Sequence, residues 1–319
     1  MLRDMSNFLT ENIKNNVSII HENNKSIIKF GNGDEYGIIE SYKIFPGVFL
    51  YFNDMHFFEC FEFFSSDKIN RRFIEINHCF SGKYECKVGK DKLAYFSKGD
   101  LDINKLGLDK IVSRFPLGYY KGLGLLIDVD VANESLNKFI SPNLDLNVLY
   151  DKLLEKNNGY LLLKSNNEID HVIGEIYNVD ERIKEPYFKL KIVELLLFFS
   201  ISDFDKDEKM TFSLEQVNTI KNIKKELVNN LDVNITLDDL VNKYGISKTS
   251  LKNCFKEVYG KPIFTWRKEY KLDYACKLID EGKYNISQIA SMVGYKSPSK
   301  FTKAFKEYIG CTPSEYRKI

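Results

Sequence analysis

The feature that most constrains this chain is an internal repeat in its last third. Leu237, Leu240, Val241, Tyr244 and Gly245 recur as Ile286, Ile289, Ala290, Val293 and Gly294, at an offset of 49 residues. After a one-residue insertion, Ser247, Leu251, Phe255 and Gly260 recur as Ser297, Phe301, Phe305 and Gly310, now at an offset of 50. Trp266-Arg267-Lys268 and Tyr316-Arg317-Lys318 close the two copies at that same offset. In each copy the first segment places apolar residues at i, i+3, i+4 and i+7, the period of one helix face. A glycine suited to a left-handed cap follows. A serine then opens a second helix, with Pro298 at its first position in the later copy. The pattern predicts two helix-turn-helix units, over about 236–259 and 286–309.

Such a unit lays its second helix in the DNA major groove. At about 100° per residue, Leu251, Phe255 and Val258 share an inward face. The opposite face carries Thr249, Asn253 and Lys256, flanked by Ser250 and Lys252, and Lys248 is a further candidate DNA contact. In the second copy Phe301, Ala304, Phe305 and Tyr308 are expected inside. Ser299, Lys303 and Lys306 face out, flanked by Lys300 and Thr302. The two N-cap serines, Ser247 and Ser297, join the candidate DNA-contacting set. Asn can pair with adenine, Lys with guanine, and hydroxyls with either. A helix from about Phe264 to Glu281 joins the copies; at about 1.5 Å per residue it is a rod of roughly 25 Å. That length suits two helices entering successive major grooves about 34 Å apart.

Charge agrees. From Ser213 to Ile319 there are 19 Lys and Arg against 12 Asp and Glu, a balance of +7, while the remainder of the chain balances at −6. A basic last third on an acidic body is an electrostatic footprint for a polyanion.

The residues Ile289-Ala290, Gly294-Tyr295, Phe301, Phe305-Lys306, Gly310, Thr312-Pro313 and Tyr316-Arg317 resemble the AraC/XylS transcription-regulator signature. The resemblance covers about residues 215–318. It implies a DNA-binding domain beginning with a helix at Ser213–Leu231. It also implies base contacts from Thr249, Lys252 and Asn253 and from Ser299, Lys300 and Lys303. The chain departs from the pattern at Pro298, a position often polar in relatives, and has no arginine on the first reading face. The resemblance further implies RNA polymerase as a partner and a cupin-like N-terminal sensor with a dimerising helical segment.

The residues of the front part read as follows. Between Tyr36 and about Asp130, short β-branched and aromatic runs alternate with turn signals, which suggests a small barrel or sandwich. Phe73–Val88 reads as a hairpin turning at Ser81–Lys83. Helices are expected at Leu146–Asn157, Ile169–Asp180 and Pro186–Ser202. The last is apolar nearly all round, so it packs on several sides or against a second subunit. A helix over Ser6–Asn15, or a loose arm, precedes the strands. The expected fold is therefore α+β. Residues 1–203 form a cupin-like β-barrel (about 30–130) with a helical dimerisation segment (about 131–203). A linker at 204–212 leads to an all-α DNA-binding domain at 213–319.

Residues 30–130 hold 20 of the 44 aromatic residues. They form a β core or line a pocket for a small apolar effector. Glu75 and Asn77, alternating with Ile74 and Ile76, are candidate polar anchors if they face the interior. His56 and His78 stand alone rather than in a metal-ligating cluster, so no metal or cofactor is expected. Cys60, Cys79, Cys86, Cys254, Cys276 and Cys311 show no C-x-x-C pair. They read as free thiols of a reducing compartment. Neither a signal peptide nor an apolar run of spanning length is visible, so a cytoplasmic protein without membrane contact is expected.

The leading expectation is a DNA-binding regulator, dimeric and controlled by an effector, rather than an enzyme. The alternatives are a thiol or redox sensor built on Cys60, Cys79 and Cys86, and a cupin-type enzyme with a helical appendage.

Overall fold

The structure is a computed structural model. It describes residues 17–57, 71–88, 91–105, 114–138, 140, 144–155, 159–164, 166–201 and 210–318. The chain divides into two compact units, Met1–Thr211 and Phe212–Ile319. The segment Ser6–Asn15, residues 58–70 with Cys60 among them, and most of the predicted linker lie outside the described residues.

The first unit is built on antiparallel strands: β1 (Ser18–Glu22), β2 (Lys25–Asn32), β3 (Glu35–Phe45), β4 (Val48–His56), β5 (Phe73–Val88), β6 (Lys92–Ser97), β7 (Asp100–Lys105), β8 (Tyr119–Asp128) and β9 (Tyr160–Lys164). Pairing runs β1-β2-β3-β4-β8-β5-β7-β9, and β6 pairs with the far half of β5. No pairing among the described residues joins β1 to β9. The sheet is open, which corrects the expectation of a closed barrel. All of β1 is exposed, so it offers no buried side chain with which to seal a seam.

The predicted hairpin at Ser81–Lys83 is also corrected. β5 runs unbroken through that segment. Cys79 pairs with Gly122 and Ser81 with Lys121, so Phe80 is the extra residue of a bulge. Gly82 completes the bend at φ 84°, where a Cβ would sit 2.3 Å from the Tyr119 carbonyl oxygen. The two halves of β5 do not fold onto each other because each finds another partner. Ile74–His78 lies between β7 and β8, and Lys83–Val88 pairs with β6.

Strand alternation gives the sheet two different faces. Ile74 and Ile76 of β5, Leu101 and Ile103 of β7, and Leu123, Leu125 and Ile127 of β8 point one way. They are covered by α1 (Val129–Asn137), α2 (Leu146–Glu155), α3 (Asn167–Tyr177) and α4 (Lys184–Ile201). Asp128 and Asn166 cap α1 and α3. The other face gathers Phe30, Tyr51, Phe57, Phe96, Phe115 and Tyr120 into an aromatic core.

The expected helix at 186–202 is α4. It buries Phe188, Ile192, Leu195, Leu196 and Phe199. Leu190, Leu197 and Ile201 are exposed on it, at 60%, 44% and 79%. No helix among the described residues is long and apolar enough to cross a membrane.

The second unit holds α5 (Leu214–Asn229), α6 (Leu237–Tyr244), α7 (Lys248–Tyr259), α8 (Ile263–Asp280), α9 (Ile286–Met292), α10 (Pro298–Ile309) and α11 (Pro313–Tyr316). The two helix-turn-helix units are α6–α7 and α9–α10. The rod between them, α8, has 18 residues, about 27 Å at 1.5 Å per residue.

Candidate nucleic-acid interface

Local chemistry fixes both helix-turn-helix units in the same way. Thr236 and Asp239 form a reciprocal capping box at the start of α6, and Asn285 and Gln288 form its counterpart on α9. Gly245 ends α6 in the left-handed region at φ 63°, as the sequence predicts. Leu240, Leu251, Phe255 and Val258 pack the first unit with no exposed surface, and Ile289, Val293, Phe301 and Phe305 do the same for the second. The closing aromatics repeat as well. Trp266 meets Phe255 edge-on at 5.7 Å between ring centroids, and Tyr316 meets Phe305 edge-on at 5.7 Å.

This packing turns one face of each second helix outward. Lys248, Thr249, Lys252, Asn253 and Lys256 of α7 are exposed, and so are Ser299, Lys300, Lys303 and Lys306 of α10. The serines at the helix starts differ. The Ser247 hydroxyl accepts from the Ser250 backbone N–H at 3.1 Å, whereas half-buried Ser297 makes no capping hydrogen bond. Ser250 is half-buried and its hydroxyl accepts from Gln216 Nε2 at 3.0 Å, which ties α7 to α5.

Two details were not visible in the helical wheel. Lys248 is paired with Asp238 at 2.5 Å, so one cation of the reading face is engaged by an acid of its own helix-turn-helix unit. Tyr308, expected inside, is 40% exposed. Its hydroxyl lies 3.4 Å from Asp273 on α8, so it packs along the outside of the rod instead of filling the core. A test for acidic partners across the turn would have found the first. The second depends on where α8 passes, which the repeat does not encode.

In the first unit, Glu75 and Asn77 lie together on the aromatic face of the sheet, both half-buried. The Tyr51 hydroxyl lies 2.6 Å from Glu75 Oε1 and 2.7 Å from Asn77 Oδ1. His56 is paired with Asp54 at 2.7 Å. His78 is buried and lies 3.7 Å from Asp170; burial holds its pKa below the ordinary imidazole range. Cys79 and Cys86 are buried. Burial pushes the Cys86 thiol well up, the reverse of the exposed thiolate that a redox sensor needs.

Comparison with known proteins agrees with this geometry. A helix-turn-helix domain family matches residues 240–319. The thermoregulatory protein LcrF of Yersinia pestis is 31% identical over 134 residues, which are 40% of this chain and 48% of LcrF. A Streptomyces lividans protein named as a "Putative AraC-like transcription regulator" is 31% identical over 83 residues, 26% of this chain and 27% of its own. The chain thus spans half or less of these relatives. A Proteus vulgaris protein named as the "Probable transcription factor PqrA" is matched over most of its length. It is 33% identical over 103 residues, 32% of this chain and 84% of PqrA. With its paired helix-turn-helix units and these relatives, the chain belongs to the AraC/XylS family of transcriptional regulators.

Proposed function

We propose that the chain is a sequence-specific DNA-binding regulator of transcription. α7 and α10 read successive major grooves, and the N-terminal unit binds a small-molecule effector and pairs with a second copy. The observation that carries the DNA reading is the duplication itself. Two buried helix-turn-helix cores present exposed Asn, Ser, Thr and Lys side chains at a matching offset on the two sides of α8. Thr249, Lys252, Asn253, Ser299, Lys300 and Lys303 are the proposed base readers. Lys256 and Lys306, one turn further on, suit phosphates. RNA polymerase is the proposed protein partner when the regulator sits at a promoter. An effector works here only by binding one conformational state more tightly than another.

Genomic footprinting of the full chain, followed by gel shifts on the recovered sites, tests this reading. Asn253→Ala and Lys303→Ala should each weaken specific binding by about 1–3 kcal/mol and relax preference at one position of the site. Equal losses on specific and random DNA would overturn the base-reading roles.

A further inference from the structure

Glu75 and Asn77 belong to a larger cluster, whose deeper members are Asp102 and Asn104 of β7. Asp102 is 2% exposed and Asn104 is 3% exposed. Asn77 Nδ2 donates to Asp102 Oδ2 at 3.2 Å. Asn104 Nδ2 donates to Glu75 Oε2 at 3.1 Å and to Asp102 Oδ2 at 3.0 Å. From β9, the Tyr160 hydroxyl lies 2.5 Å from Cys86 Sγ and acts against burial to lower the Asp102 pKa.

These groups do not satisfy one another. Tyr51 has one hydroxyl proton and two carbonyl-type oxygens within reach. Asp102 Oδ1 and Asn104 Oδ1 are buried and have no hydrogen-bond partner. Turning the Asn104 amide over does not help, because its oxygen would then face two carboxylates. With Asp102 ionised, acceptors exceed donors; with Asp102 protonated, Asn104 Oδ1 still lacks a partner, and no ion pair to Glu75 or Asp102 is found among the described residues. Leaving buried acceptors in that state is costly.

The walls beside the cluster are aromatic. Gly122 and Gly124 of β8 leave room for the rings of Tyr120 and Tyr51, which occupy the space where a Cβ would be. Phe30, Phe57, Phe115 and Phe96 belong to the same buried aromatic core. Glu75 and Asn77 are half-buried, whereas Asp102 and Asn104 are buried.

We propose that this cluster holds the head group of an organic ammonium effector whose apolar body packs against the aromatic core. An ammonium brings three donors and no acceptor, and its charge favours the ionised form of Asp102, which burial otherwise keeps protonated up to about pH 8. A carboxylate ligand would add acceptors to a site already in excess of them. This assignment rests on the effector-binding reading of the N-terminal unit and gives that effector its chemical class.

The test uses the full chain and calorimetric titration with phenethylamine, 2-phenylethanol, 3-phenylpropionate and calcium chloride. Phenethylamine should bind at least about tenfold more tightly than 3-phenylpropionate. Asp102→Asn and Glu75→Gln, isosteric changes whose folding is checked by circular dichroism, should each weaken it by about tenfold or more. The idea is overturned if no amine binding is seen, if the carboxylate binds as well, if the two variants leave amine affinity unchanged, or if calcium alone takes the site. The operator gel shift is run in parallel. Preference for 2-phenylethanol or 3-phenylpropionate with loss in both variants would replace the ligand class and leave the effector site standing. Loss of operator binding would instead concern the DNA reading.

Discussion

Arg267 donates from its guanidinium to the Val233 carbonyl at 2.6 Å, and to that of Asn230 at 2.8 Å. One repeat later, Arg317 donates to the Tyr284 carbonyl at 2.6 Å. Each arginine thus pins the segment that enters the first helix of its own helix-turn-helix unit. Arg267 is 6% exposed, whereas Arg317 is exposed. Arg267→Ala should therefore cost about 2–3 kcal/mol through loss of buried charge-assisted hydrogen bonds. Arg317→Ala should cost under about 1 kcal/mol. Amide hydrogen exchange over 214–318 measures both, and equal effects would contradict the burial argument.

How much of this was legible in sequence follows from the range of the forces involved. The helix-turn-helix units were readable because caps, turns and helix faces are set by residues within a few positions. Thr236, Gly245, Leu251 and Phe255 therefore sit where their periodicity places them. The sheet was read less well. β1, β2, β7, β9 and α1 were missed; Tyr160–Lys164, for one, is a short apolar run that periodicity alone cannot assign. The bulge at Phe80 resembled a turn because Ser-Gly serves both. Glu75 and Asn77 were singled out as candidates by alternation. Asp102 and Asn104 were not, because only the pairing of β5 with β7 places Glu75 opposite Asn104 and Asn77 opposite Asp102.

The Lys248–Asp238 pair should compete with DNA. Asp238 is exposed and sits in the first turn of α6. Asp238→Asn frees the lysine and removes a negative charge from the interface. Affinity should rise by about threefold on specific and random DNA alike, with the salt slope steeper by up to about 0.9. Lys256→Ala and Lys306→Ala should each make that slope shallower by about 0.9 if each contacts one phosphate. Titrations between low and physiological salt decide it.

The exposed apolar stripe of α4 carries the proposed pairing of two copies. Leu190, Leu197 and Ile201 lie on it, spaced to share one helix face. Burying such side chains is worth about 1.5–3 kcal/mol each. Leu197→Lys with Ile201→Glu should shift the full chain from dimer to monomer in light scattering, with little loss of stability. An unchanged mass would remove α4 from the interface.

The buried acid also predicts how stability varies with pH. Burial first, and Glu75 next, raise Asp102 to about 8, while in the unfolded chain it titrates near the ordinary 3.8. Between those values the folded state holds a proton that the unfolded state has released. Its contribution to stability is complete below about pH 4 and is lost as pH rises through about 8. Across that window the slope from this group is about −1.4 kcal/mol per pH unit. Asp102→Asn keeps the shape and removes the titration. The difference in stability between wild type and variant, followed by urea unfolding of the N-terminal unit, should therefore move in the variant's favour from pH 5 to pH 8 and level off beyond. A difference that stays flat across the window would show that Asp102 ionises as freely in the folded protein as in the unfolded one.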